Sequence, residues 1–256
     1  MNLGTVLEFR SLKYKMDMRK LITVFATLFL TLSVFSQETY EDLLIVKADA
    51  DWEKLIKQAE KYTVKGSTSK DAEPYYYMAY GLYKISFEAE RDDQYKNAYK
   101  DAFTSIGKML RYDKSGDIQS KYSEFIDEMK LSLLEIIQNE VGNEEYRRAF
   151  GWSMRLYKFG RDYIPALYLE GALRSRNNDL TTARIKWAEA DKLVQEANIK
   201  SWSEADKKLM MLALYQSAKA LVDVRQVDAA KEIMDIGAPY FEDDKRWQEN
   251  YDEIVN

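Results

Sequence analysis

The chain contains no cysteine and no histidine among its 256 residues. Without thiols there is no disulfide, no thiolate nucleophile, no cysteine-ligated zinc or iron–sulfur cluster, and no acylated cysteine of the bacterial lipoprotein type. Without imidazole there is no Ser-His-Asp triad and no histidine-ligated metal. Carboxylates, lysine, tyrosine and serine remain, which narrows enzyme chemistry mainly to glycosidase-like carboxylate pairs. Proline is scarce at three and glycine at ten, too few for a turn-rich all-β fold. Neither GxxxxGK[ST] nor GxGxxG occurs, so no glycine-rich phosphate loop is present. No catalytic residue, metal or cofactor is expected, and the chain reads as a non-enzyme.

Hydrophobic residues make up 46% of the chain and charged ones 32%, enough apolar material to bury a substantial core. The abundance of Ala, Leu, Glu, Lys, Met and Gln favours helix. From Met18, the stretch MRKLITVFATLFLTLSVFSQ has a basic start, an apolar run from Leu21 to Phe35 and a small residue, Ser36, before a polar segment. This is the layout of a secretory signal peptide, and the run is shorter than the roughly 20 residues that span a bilayer. Residues 1–36 are therefore expected to be a signal peptide cleaved after Ser36, with an uncleaved membrane anchor or a buried helix as alternatives. Met16 and Met18 are alternative starts, which would place residues 1–17 upstream of the true one. Residues 37–256 carry 33 basic against 41 acidic side chains, a formal charge of −8. Such acidity argues against nonspecific nucleic-acid binding and is consistent with a soluble exported protein, periplasmic if the cell has an outer membrane.

Helical periodicity predicts helices at 39–48, 50–63, 73–90, 94–112, 118–140, 144–159, 163–176, 180–197, 203–224, 227–238 and 241–254. KGSTSKD at 65–71, DKSG at 113–116, VGN at 141–143, RNND at 176–179 and the Gly237, Pro239 pair mark breaks. No linker divides the chain, so residues 37–256 form a single predicted all-α domain. The acidic pairs Asp92/Asp93, Glu144/Glu145 and Asp243/Asp244 fall in turns or at helix starts, where carboxylates stabilise exposed amides rather than run acid–base chemistry. The basic, aromatic stretch at 147–161 reads as an interior helix with snorkelling Arg and Lys.

Residues 163–193 carry a spacing of small and large side chains. Gly171 is followed by Ala183, Trp187 and Ala190, at offsets of twelve, sixteen and nineteen, and Ala218 by Ala230, Met234 and Gly237 at the same offsets. Two helix backbones approach closely only where one offers Gly or Ala, and a large ring fills the space beside it. The pattern resembles a divergent tetratricopeptide repeat. The resemblance implies antiparallel helical hairpins stacked as a short superhelical array, or α-solenoid, with FEDDKRWQENYDEIVN as a closing helix.

PYYYMAYGLY, residues 74–83, holds five of the 19 tyrosines. Tyr76, Tyr80, Tyr83 and Phe87 form one helical stripe and read as packing, and Tyr77 as the hairpin crossing. Aligning Gly81 with Gly171 makes residues 94–112 its partner helix. By the same resemblance the first helix of each hairpin lines a concave groove. Its implied groove positions are Tyr75, Met78, Leu82 and Ile85, then Tyr168, Ala172 and Arg176, then Tyr215, Lys219 and Asp223. The expected function is a non-catalytic scaffold or adaptor whose groove binds a protein segment of the envelope. A small-ligand or glycan-binding module with aromatic platforms is the alternative, and an array that fills its groove with its own terminal helix is a further one.

Overall fold

A computed structural model of the protein describes residues 40–256. The signal-peptide and start-codon readings fall on residues 1–36, outside the described residues. Among the described residues there are twelve α-helices and no strand: α1 Glu41–Ala48, α2 Trp52–Val64, α3 Ala72–Ile85, α4 Ala98–Tyr112, α5 Asp117–Lys121, α6 Ser123–Gly142, α7 Tyr146–Ser153, α8 Ile164–Arg176, α9 Leu180–Val194, α10 Glu204–Asp223, α11 Val227–Phe241 and α12 Lys245–Val255. None of them is long and apolar enough to cross a membrane. Residues 42–256 pack as one unit.

The helix starts follow from local chemistry. Asp51, Asp179, Ser203 and Asp244 each accept the backbone N–H three residues on, satisfying a donor that the first helical turn leaves open. Four of the stops, after α1, α6, α8 and α10, are tight αL turns held by residues other than glycine: Ala50, Glu144, Asn178 and Arg225 all have φ near +60°. After α6, α8 and α10, the amide one residue past the αL position donates back five residues, from Glu145 to Glu140, Asp179 to Arg174 and Gln226 to Leu221.

Several predicted elements differ, among them the one at 144–159, which is α-helical only to Ser153 and continues as a 3-10 helix over Met154–Lys158. The helix expected over 118–140 breaks at Tyr122, whose ring stacks on Tyr76 at 3.4 Å between centroids and whose hydroxyl donates to buried Glu73. The helix expected to reach 90 stops at Ile85, and the Arg91 guanidinium bonds the carbonyls of Ser86 and Glu88 beyond it. Conversely, α11 runs through Pro239 to Phe241. Proline removes the amide that would bond the Asp235 carbonyl, and the helix ends two residues later.

Packing runs between sequence neighbours at both ends: α3 lies against α2 and α4, α8 against α9 and α10, and α10 against α11, with α12 closing on α10 and α11. In between, α6 packs on α7 and, across a long sequence separation, on α10. Gly171 is where α8 meets α9. A Cβ there would stand 2.4 Å from Trp187 Nε1, so the indole occupies the space a side chain would need. Trp187 Nε1 donates to Ser217 Oγ, which lies 3.0 Å from the Tyr168 carbonyl, tying α9 and α10 to α8. Gly237 plays the same part for Trp247 of α12, with a would-be Cβ 2.5 Å from the ring.

Gly81 corrects the alignment made from sequence. Its open side faces Ile56 and the Trp52 carbonyl of α2, at 2.9 and 3.3 Å from a would-be Cβ, not the helix at 98–112. α3 still packs on α4, so it is covered on two sides. Tyr76, Tyr77 and Tyr83 are buried and Tyr80 half-buried, while Phe87 is exposed.

Candidate functional site

A cleft of about 630 Å³ lies between α6, α10 and α12. Two helices present the same spacing to it: Leu131, Leu134, Glu135 and Gln138 from α6, and Lys208, Met211, Leu212 and Tyr215 from α10. Positions i, i+3, i+4 and i+7 share one helix face, so each helix contributes a wall. Arg246, Trp247 and Asn250 close the third side. Leu134, Leu212 and Trp247 are buried at the base, Leu131 and Met211 are half-buried, and Glu135, Lys208 and Arg246 are exposed at the rim. None of these three rim charges makes an ion pair among the described residues.

Of the residues assigned to the groove from sequence, Tyr215 lines this cleft. Its hydroxyl donates to Glu253 Oε2 at 2.5 Å, and Lys219 Nζ reaches the other oxygen at 2.9 Å. These two bonds hold the Glu253 carboxyl below its ordinary value, and the Glu253 bond raises Lys219. Burial, reinforced by Glu253, raises the Tyr215 phenol. Lys219 is therefore committed to α12.

The other groove assignments end up elsewhere. Tyr75 is 4% exposed, its hydroxyl donating to the Ser69 carbonyl at 2.9 Å and its ring beside Tyr112. Leu82, Ile85 and Ala172 are buried, and Met78 is half-buried on α3. Tyr168 is fully buried and donates to Asp191 at 2.6 Å; burial and that carboxylate push its phenol up. Arg176 donates to Tyr146 at 2.6 Å and pairs with Asp223 at 3.2 Å, bridging α7, α8 and α10. The structure thus does not gather the three predicted tyrosines in one groove: Tyr75 and Tyr168 are core, and Tyr215 alone borders open space.

Sequence reasoning missed the α6 wall and the polar knot behind it. Lys130 of α6 is buried 2.7 Å from Asp206 Oδ1 of α10 and 3.4 Å from Asp127. Tyr163, ahead of α8, donates to Asp206, and Ser203 Oγ lies 3.0 Å from both carboxylates. Burial, then Asp206, pushes the Tyr163 phenol well up. The only local hint was Ser203 standing three residues before Asp206 at a helix start.

No protein-family model, curated protein or solved structure matches this chain.

The Glu253 contacts predict an acid response. A carboxylate whose folded pKa is depressed adds stability above its unfolded value of 4.5, and that stability disappears as pH falls through the lower folded value. Amide exchange in α12 should therefore accelerate relative to α10 below pH 4.5 in the native chain. In Glu253→Gln the difference should already be present at neutral pH and change little with acid. Equal responses of the two chains would show that Glu253 does not hold α12.

Proposed function

We propose that the protein is an exported, non-catalytic, tetratricopeptide-like scaffold that binds a segment of a protein partner between α6, α10 and α12, in envelope assembly or secretion. The observation that carries this reading is the make-up of the cleft, with an apolar base under a rim of unpaired charges of both signs. An amphipathic helix or extended segment presents that combination, and helix-lined grooves take such ligands through apolar anchors at alternating turns. The succession of α8, α9, α10 and α11 and the Gly171–Trp187 contact support the repeat-like reading. The leader-like stretch from Met18 to Ser36 supports export to the periplasm or outer-membrane region. A glycan platform is less well supported, because Trp247 is buried at the base and Tyr215 is the one tyrosine on the lining.

Photo-crosslinking in cells tests it. A photoreactive residue at Met211 or Leu131 should capture a discrete protein that the same group at Ala188 or Val224, on other faces, does not. Met211→Glu should lower the capture from Leu131 about tenfold, as loss of a central apolar anchor does. Equal capture from all four positions would rule the cleft out.

A further inference from the structure

A second surface gathers around Tyr75. The Tyr75 hydroxyl donates to the Ser69 carbonyl at 2.9 Å and lies 3.4 Å from the Thr63 carbonyl, which fixes the loop between α2 and α3 over the end of α4. Lys108 Nζ sits 5.4 Å from the Tyr75 ring centre, and the Arg111 guanidinium 4.9 Å from that of Tyr112. Lys65 and Lys70 bracket the loop, and the Lys65 carbonyl accepts from the amides of Thr68 and Ser69. All four cations are exposed, and none makes an ion pair among the described residues. Of the nearby carboxylates, Asp71 and Asp113 are half-buried, with Asp113 engaged by the amides of Gly116 and Gln119, while Glu60 of α2 and Asp42 of α1 are exposed.

Carbonyl-rich helix ends favour cations, which accounts for Lys108 and Arg111 at the end of α4. It extends to Lys65, the C-cap of α2, but does not account for Lys70 in the loop, nor for Val64, 74% exposed among these cations. Tyr62 of the last turn of α2 donates to Asp42 at the start of α1, so the chain enters this unit at the same end. Within one turn of Asp42, Leu44 and Ile45 are exposed.

We propose that this end of the unit, with Lys65, Lys70, Lys108 and Arg111 around Val64, docks on a membrane surface rich in anionic phospholipid. Cations draw the surface to the headgroups and the exposed aliphatic side chains enter the interface. Cations interspersed with exposed Val64, Leu44 and Ile45 match the two demands of an anionic lipid interface, and an acidic protein partner is the competing outcome that the test separates. The proposal is independent of the cleft and its partner.

Flotation of the full chain with vesicles of phosphatidylcholine alone, or mixed equally with phosphatidylglycerol, tests it. The apolar run Leu21–Phe35 is common to every variant, so differences report the patch. Each basic residue at an anionic surface contributes about fivefold to partitioning. The triple variant Lys65→Glu/Lys70→Glu/Lys108→Glu should therefore bind the mixed vesicles at least roughly a hundredfold more weakly, with binding to neutral vesicles unchanged. Raised salt should weaken the native chain towards the variant. The matched reversal Arg184→Glu/Lys192→Glu/Lys200→Glu, on a different face, should bind like the native chain. Three results would overturn the proposal: native-like binding by the first triple variant, an equal loss in the matched one, or binding of polyglutamate that depends on the same three lysines and outcompetes the vesicles.

Discussion

Trp187→Ala is expected to lower the free energy of unfolding by about 3–5 kcal/mol, as deletion of a buried indole does. The ring is 5% exposed, fills the space over Gly171 and donates to Ser217. Its loss opens a void between α8 and α9 and leaves the buried Ser217 hydroxyl without its donor. Gly171→Ala attacks the same contact from the other side. The added methyl would stand 2.4 Å from Nε1 and 2.6 Å from Cδ1, and overpacking of this kind costs about 1–3 kcal/mol. In the Trp187→Ala background the obstruction is gone, and the helix preference for alanine over glycine, about 1 kcal/mol, should turn Gly171→Ala into a gain. Urea titrations of the two single variants and the double one decide this through the coupling energy. Simple additivity would mean that the indole and the glycine do not hold this crossing together.

Part of this was open to inspection in the sequence. Gly171 followed sixteen residues later by Trp187 marks a close approach because only a missing side chain makes room for a ring. The caps at Asp179, Ser203 and Asp244 likewise set helix starts through contacts three residues long. Glycine, however, signals a close approach without naming the neighbour. Gly81 admits α2, although its motif context pointed to the helix after it. Tyr75 went astray for a related reason: helical periodicity separates faces but does not tell a groove from an interior. With α2 and α4 both against α3, the face expected to be open is covered. The cleft was the least legible feature, since its walls α6 and α10 meet through residues as far apart as Lys130 and Asp206, 76 positions along the chain.

Lys130→Met should cost about 3–5 kcal/mol, the usual consequence of removing one partner from a buried charge cluster. It leaves the half-buried carboxylates of Asp206 and Asp127 facing each other, with Tyr163 and Ser203 as the remaining side-chain donors. That figure is a cost of truncation and not the net worth of the cluster, because desolvating the three charges already offsets much of their attraction. Lys130→Met/Asp206→Leu/Tyr163→Phe removes the set together and should recover most of the lost stability. The cluster also fixes the start of α10 against α6, and those two helices are the walls of the cleft. If orientation rather than stability is its contribution, the triple variant will fold yet capture the partner from Met211 less well than the native chain. Retained capture would make the cluster dispensable to the site, and a triple variant as unstable as Lys130→Met alone would show that the ion pairs themselves stabilise the fold.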